Sequence, residues 1–413
     1  MQNIYYRIFI SAAIVFFILA VELTAQVKTG ADILLSEKLY LTKGKRIGII
    51  CNHTSLLSNG THLIDALINQ QDQKVTAIFT PEHGFKGSAE AGEVVDYKND
   101  RYKNIPVISL YGNDKKPTKN VLDDVDILIF DIQDVGARFY TYISTLFYCL
   151  ESAAENDKEI IVLDRPNPIG CKYVDGPVLE NKFRSFVGIA PLPVTHGMTV
   201  GELAMFFTGE KLISAKGSVK LEVVRCSNWH REINAELFVN WISPSPNINS
   251  FETAITYAGT CLLEGTNISE GRGTNYPFLQ IGAPFINSNN LCDELNQLKI
   301  TGAEFEPVSF VPVDIKEMAS NPKFENEKCN GIKISITNPA EFESVKFSIK
   351  LLSILVKLYG DKIKFNESSF DRLAGNDDLR KQLLKNTDTE TIFDSWQIEL
   401  NKFKEKRNNY LLY

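Results

Sequence analysis

Residues 125–142 read VDILIFDIQDVGARFYTY. A short apolar run, Val125 to Phe130, breaks off at the polar cluster Asp131-Ile132-Gln133-Asp134, and helical spacing of apolar residues follows from Phe139 to Ala154. Strand, polar loop and helix in that order make one repeating unit. The unit recurs. KRIGIIC at 45–51 runs into Asn52-His53-Thr54-Ser55, VTAIF at 75–79 into Thr80-Pro81-Glu82-His83-Gly84, PVISL at 106–110 into Tyr111-Gly112, and EIIVL at 159–163 into Asp164-Arg165-Pro166-Asn167-Pro168. Runs of this kind, separated by helices, predict a parallel sheet buried on both faces. The fold class is therefore α/β, a doubly wound domain. Nearly all the polar clusters follow the C-terminal end of a strand. In open α/β sheets, ligands bind in the crevice beyond those ends, so clusters far apart in sequence are candidates for one site.

Outside this region the pattern changes. Residues 225–250 shift in composition, and Ser243-Pro244-Ser245-Pro246-Asn247 reads as an extended connector, which puts a domain boundary near 250. Beyond it come a helix from Phe251 to Glu264, a strand from Gly331 to Ile336, a helix from Phe342 to Tyr359 and a charged amphipathic helix from Thr389 to Arg407. This predicts a smaller α+β domain over 251–413. The charges of Lys402 to Arg407 read as a solvated helix face.

The chain has 413 residues, 44% of them hydrophobic and 23% charged, with a formal net charge of −7. Its length predicts one large or two domains. The apolar fraction excludes a disordered or fibrous chain. The acidic balance argues against nucleic-acid binding, which needs a surplus of Lys and Arg. The N-terminus carries Arg7, an almost wholly apolar run from Ile8 to Val21, and small residues up to Ala25-Gln26. That is the pattern of a secretory signal peptide over 1–25, and it predicts a periplasmic or secreted protein. The apolar run is shorter than the ~20 residues a membrane span takes, so no stable membrane insertion is expected after cleavage. The mature chain then begins near 26, with its first domain over 26–250. The seven cysteines have no C-x-x-C spacing. Cys51 and Cys149 read as core residues, and no disulfide essential to the fold is expected.

Four clusters carry candidate chemistry. In the first, Glu82 and His83 precede Phe85, Glu90 and Glu93; an apolar neighbour such as Phe85 would shield Glu82, and a shielded carboxyl suits a general acid. A surface turn with solvated acids is the alternative. The second holds Asp131, Asp134, Arg138, Tyr140 and Tyr142. Arg138 could grip a carboxylate bidentately and the tyrosines could stack on, or hydrogen-bond, a sugar. Asp131 or Asp134 could equally cap the next helix. The third holds Asp164, Arg165 and Asn167, in which Asp164 and Arg165 could form an internal ion pair. The fourth places Glu264 and Glu270 in a glycine-rich loop with Arg272 and Asn275; a second carboxylate is what glycoside hydrolysis needs besides the acid. Asn52 and His53 join the strand-end loops, and His196 either touches a ligand or packs. No H-E-x-x-H spacing, phosphate loop, dinucleotide fingerprint or G-x-S-x-G elbow occurs, so no metal, cofactor or serine nucleophile is expected.

Taken together, NHTS at 52–55, FTPEHGF at 79–85 with EAGE at 90–93, DIQDVGARFYTY at 131–142, LDRPNP at 163–168, THGMTVGEL at 195–203, EGTNISEGRGT at 264–274 and FDRLAG at 370–375 resemble the NamZ-type exo-β-N-acetylmuramidases. The motifs run in order across nearly the whole mature chain. The resemblance implies a Rossmann-like N-terminal domain, a smaller C-terminal domain and an active-site cleft between them. It implies release of non-reducing terminal N-acetylmuramic acid from peptidoglycan fragments in cell-wall turnover. In that reading Glu82 is the general acid, and Glu264 or Glu270 stabilises the transition state or activates water. Arg138 or Arg272 meets the lactyl carboxylate. If the substrate's acetamido group is itself the nucleophile, Asp131 is the polarising partner. An esterase or amidase acting on wall material and a non-catalytic muramyl-binding protein are the rival readings.

Overall fold

The computed structural model describes residues 26–413 apart from 96, 98, 99, 234 and 239; the expected signal peptide lies outside the described residues. The first half is built on a seven-stranded sheet: β1 (Arg46–Cys51), β2 (Lys74–Thr80), β3 (Arg101–Tyr102), β4 (Ile105–Ser109), β5 (Ile127–Asp131), β6 (Glu159–Leu163) and β7 (Lys220–Val224). The lateral order is β3-β4-β2-β1-β5-β6-β7. Every pairing is parallel except that of the short edge strand β3 with β4. The chain thus works outward from β1 through β2 to β4, then crosses back to place β5 on the other side of β1. The crevice opens at that reversal, beyond Cys51 and Asp131.

Helices cover both faces, as the apolar runs require. On one face α1 (Gly30–Glu37) and α2 (Leu63–Ile68) pack Ala31, Leu34, Leu63 and Leu67 against Ile47, Ile49, Ile78 and Ile129. The face opposite takes α3 (Lys119–Leu122), α4 (Tyr142–Glu155) and α5 (Val200–Gly209). α4 starts three residues later than its apolar spacing suggests, because Phe139 to Thr141 are held in the loop that enters it. β7 was not evident in the sequence: KLEVV is an edge strand with alternate residues exposed, and it lacks the continuous apolar run of a central strand.

The second half begins with α6 (Phe251–Thr260), which tightens into a 3₁₀ turn over Cys261–Gly265. A three-stranded antiparallel sheet follows, β8 (Gln280–Ala283), β9 (Ala303–Phe310) and β10 (Cys329–Ile336), in the order β8-β10-β9. α7 (Ser288–Gln297) lies between β8 and β9 in the chain, and α8 (Ser344–Tyr359), α9 (Glu367–Ala374) and α10 (Asp378–Leu384) come after β10. The final amphipathic segment is two helices, α11 (Thr389–Ser395) and α12 (Gln397–Arg407). They meet at Trp396, whose indole N–H donates to Asp175 Oδ1 at 3.1 Å. Arg407 is not solvated as expected: its Nη1 reaches the carbonyls of Cys171, His196 and Gly197 at 3.3–3.5 Å.

One continuous apolar cluster joins the halves, running from Phe130, Ile143 and Phe207 through Tyr257 and Phe278 to Leu352 and Phe393. All seven cysteines are buried free thiols. No described helix is long and apolar enough to cross a membrane.

Candidate active site

Glu82 stands beyond the end of β2, after the single residue Pro81. The chain turns sharply after it, with φ of +68° at His83 and +74° at Gly84, so the carboxylate is delivered inward rather than to the surface. It is 6% exposed. Its Oε1 accepts the Gly92 N–H at 2.9 Å and its Oε2 accepts the Thr141 hydroxyl at 2.6 Å. Thr141 stands where α4 begins but makes no capping bond, its hydroxyl being turned to Glu82. The positive end of α4 lies behind that contact. The Tyr111 phenol shares the locality; burial, and then Glu82, push its pKa up. His83 donates from Nδ1 to the Ala89 carbonyl at 2.7 Å, which leaves Nε2 as the ring's acceptor in the neutral form. Burial pulls its pKa down, against the pull of Glu82.

The other wall comes from the second half. Arg272 Nε and Nη2 both reach Glu264 Oε1, at 3.0 and 2.7 Å. The guanidinium lies over the Phe278 ring, 5.1 Å from its centroid. Burial draws the Arg272 pKa down, but Glu264 and Glu270 outweigh it and hold it raised. Glu270 sits behind this pair, 3.6 Å from Arg272 Nε and bound to Lys323 Nζ at 2.9 Å. Lys323 also donates to the carbonyls of Leu263 and Ile268, which ties the loop together. Among the described residues Glu82 makes no ion pair, whereas Glu264 and Glu270 each have a cation. Between the walls lies a cavity of about 100 Å³, lined by Glu82, His83, Tyr140, Asn247, Glu264 and Arg272 among others.

Five residues proposed from sequence thus meet in one place: Glu82, His83, Tyr140, Glu264 and Arg272. The shielding of Glu82 differs from the expectation. Phe85 turns away, its ring against His62 and Tyr102, and the apolar lining is Phe139, Ile248 and Phe278 instead.

Other candidates stand elsewhere. Arg138, expected to grip a ligand carboxylate, does not line the cavity. It is fully buried, and its Nη atoms donate to the carbonyls of Pro177, Leu192 and Leu373, each at 2.7 Å. With no carboxylate paired to it among the described residues, burial pushes its pKa down to about 9. Asp131 is likewise not a polarising partner in this cavity, because Arg165 takes both its oxygens, at 2.6 and 2.9 Å. Arg165 therefore pairs with Asp131 and not with its neighbour Asp164. Asp164 accepts from Gly201 N, Thr199 Oγ1 and Tyr413 OH at 2.7–2.8 Å; burial still pushes its carboxyl up to about 6. Asn167 donates to the Met198 carbonyl at 3.0 Å. His196 is fully buried and accepts the Met198 N–H. Asp164, Arg165, Asn167 and His196 are absent from the lining of the cavity that holds Glu82. Asn275 is exposed, and its carbonyl accepts from Asn249.

Asn52, His53 and Tyr142 have a different task. His53 Nε2 donates to the Ser243 carbonyl at 2.7 Å, and Tyr142 OH to that of Pro244 at 2.5 Å, with Asn52 Nδ2 donating to the same hydroxyl at 3.1 Å. They pin residues 243–247 across the ends of the strands. The segment expected to be a plain connector is thereby a wall of the site, supplying Ser245 and Asn247, with Ile248 just after it. Sequence reasoning missed Thr141, Tyr111 and Asn247. Tyr111 had a usable signal, since it ends an apolar run as Glu82 does. Asn247 had none, because Pro-rich segments read as linkers.

Comparison with known proteins gives a consistent answer. Residues 47–252 match the model of the N-terminal part, and residues 255–413 that of the C-terminal part, of exo-β-N-acetylmuramidase NamZ. The chain is 43% identical over 390 residues to the peptidoglycan β-N-acetylmuramidase NamZ of Bacillus subtilis (strain 168), covering 94% of this chain and 92% of that one. Crystal structures of two DUF1343 family proteins from Bacteroides fragilis NCTC 9343 superpose with TM-scores of 0.85 and 0.76 at 31% and 34% identity. Each alignment covers 94% of this chain and 99% of the other. The chain belongs to the NamZ exo-β-N-acetylmuramidase family.

Proposed function

We propose that this member of the family is an exo-acting glycoside hydrolase that releases N-acetylmuramic acid from the non-reducing ends of peptidoglycan fragments. The observation that carries the reading is the convergence of Glu82, free of any ion pair among the described residues, with the Arg272–Glu264 pair across one small cavity. Glu82 gives its proton to the glycosidic oxygen as the bond to the anomeric carbon breaks. Water supplies the hydroxyl that replaces the leaving sugar, and its remaining proton restores Glu82. Glu264 faces the positive charge that develops on the ring. Arg272, with Arg138 withdrawn among carbonyls, is the cation for the lactyl carboxylate. An acidic protein can bind an anionic sugar this way because a local guanidinium, not net charge, makes the contact.

The wider reading follows from the same features. Taken in chain order, the six parallel strands lie 3-2-1-4-5-6 across the sheet, which supports a Rossmann-like first domain. The meeting of the two family models between 252 and 255 supports a division near 250. The apolar leader over 1–25 supports export to the periplasm or beyond, where wall fragments are met.

The test is E82Q on a chromogenic N-acetylmuramide. Turnover should fall by about 100-fold or more, the scale of general acid catalysis, with an unchanged circular dichroism spectrum. Near-wild-type turnover removes Glu82 from the mechanism. Mass spectrometry of digested wall fragments should show free N-acetylmuramic acid; acyl or amide cleavage would indicate another class of hydrolase.

A further inference from the structure

Glu82 has to meet a glycosidic oxygen, yet it is 6% exposed and both its oxygens are occupied, by the Gly92 N–H and the Thr141 hydroxyl. The cavity in front of it, about 100 Å³, falls below the ~300 Å³ at which pockets for small ligands begin. A sugar therefore reaches Glu82 only if part of the wall moves.

The part of the wall placed to move is the turn at 90–93. Ala91 lines the cavity, yet Ala91, Gly92 and Glu93 are all solvent-exposed. The turn braces itself: the Glu90 N–H donates to Glu93 Oε2 at 2.9 Å, and the Glu93 N–H to the Glu90 carbonyl at 3.1 Å. It can thus move as one piece. Among the described residues it is hydrogen-bonded to the rest of the protein at two places. Gly92 meets Glu82, and Glu90 crosses to the second half, where its Oε2 accepts the Ser320 N–H at 3.0 Å and its Oε1 the Ser320 hydroxyl at 2.7 Å. Ser320 stands on the excursion between β9 and β10, which is anchored beside the other wall. Lys323 donates to Glu270 and to the carbonyls of Leu263 and Ile268, and the Met318 carbonyl accepts from Asn247. The Glu90–Ser320 contact itself lies in solvent, where water can replace either partner, so it holds the turn without fixing it.

We infer that the turn at 90–93 is a lid over the catalytic cavity, latched to the second half by Glu90 on Ser320, and that it unlatches to admit and release the sugar. The inference rests on the muramidase reading above. It gives the closed lid a second task. Gly92 presents its N–H to Glu82 Oε1 only when the lid is down, so the acid is set in place as the cavity is sealed from water.

The experiment ties the latch shut. E90C/S320C adds two thiols at the latch of a protein whose seven native thiols are all buried. A short bis-methanethiosulfonate reagent joins the two, a monofunctional reagent of the same kind caps each alone, and a reductant removes either. Turnover of a chromogenic N-acetylmuramide is measured in every state. The capped protein should turn the sugar over, the tethered protein should lose turnover, and the reductant should restore it. A tether confirmed by mass spectrometry, with turnover equal to that of the capped protein, overturns the inference. So does a cap that abolishes turnover as the tether does, because bulk at the mouth would then suffice. Either result leaves the functional reading standing where wild type releases N-acetylmuramic acid. If wild type releases none, that reading fails and takes the inference with it.

Discussion

Thr141 shows how a single hydroxyl can be diverted from structure to chemistry. At the start of a helix, Thr ordinarily bonds a free backbone N–H, a contact worth ~1 kcal/mol. Here it bonds Glu82 Oε2 instead, at 2.6 Å. It is a positioning residue, so T141V should lower kcat by about 10-fold, the scale of one hydrogen bond, with KM little changed, and T141S should restore it. Steady-state kinetics on the three proteins decides this; a change in KM alone would mean the contact serves binding. Asp134 makes a separate prediction about pH. Burial pushes its carboxyl up to about 7, despite hydrogen bonds from the Gly136 and Val135 backbone. The folded protein thus holds this proton more tightly than the unfolded chain, where an Asp carboxyl titrates near ~4. The stability tied to that proton is fully present below about pH 4 and is lost as pH rises through about 7. Urea unfolding at pH 5 and pH 8 should show that loss in wild type and a smaller one in D134N; equal slopes would refute it. At this scale the sequence was half legible. Glu82 and Arg272, singled out from residue type and place, both line the cavity. Arg138 was misjudged because an arginine beside tyrosines reads the same whether it faces a carboxylate or three carbonyls. One of those carbonyls, Leu373, lies 235 residues away.

Elements position these residues through backbone shape as much as through packing. Gly271 separates Glu270 from Arg272 with φ of +84°, which lets both side chains turn to the same side of the loop. A Cβ there would lie 2.6 Å from the Gln280 carbonyl and 2.7 Å from that of Tyr276. G271A should therefore cost ~1–3 kcal/mol of stability and lower turnover as well, since Arg272 and Glu264 move with the loop. Urea titration and kcat measure the two effects, and full activity would show that the loop tolerates the shift. The central strands were legible because burial on both faces leaves continuous apolar runs such as ILIF. β7 and β9 were not, because half their residues face solvent and the remaining alternation is short. The 243–247 segment was misread for a related reason. Prolines make a chain extended, and whether an extended chain links or lines depends on His53 and Tyr142, which sequence cannot bring to it.

At the scale of the whole molecule, the two halves are not separate cores. The apolar cluster that begins under α4 and α5 continues into α8 and α11. Arg138 adds a polar tie from the first half to the Leu373 carbonyl in α9. The end of the chain returns to the first half: Tyr413 OH donates to Asp164 Oδ2 and accepts the Cys226 N–H, each at 2.7 Å, and the Leu412 N–H donates to Glu202 Oε1 at 2.8 Å. This closure was invisible in sequence, where the last helix read as amphipathic with the charges of Lys402 to Arg407 on a solvated face, because its buried positions are few: Leu400 and Phe403 in α12. Its consequence is cooperativity. Neither half can unfold without exposing apolar surface of the other, so differential scanning calorimetry should show one endotherm with calorimetric and van't Hoff enthalpies in agreement. Y413F removes a donor from a buried carboxyl and should lower that single Tm by about 2–4 °C, the shift expected for ~1 kcal/mol in a large domain. The transition should stay single, since the apolar cluster remains whole. Two resolved transitions in wild type would mean that the halves unfold independently. A Y413F transition unchanged in Tm would mean that the C-terminal hydroxyl contributes nothing to the closure.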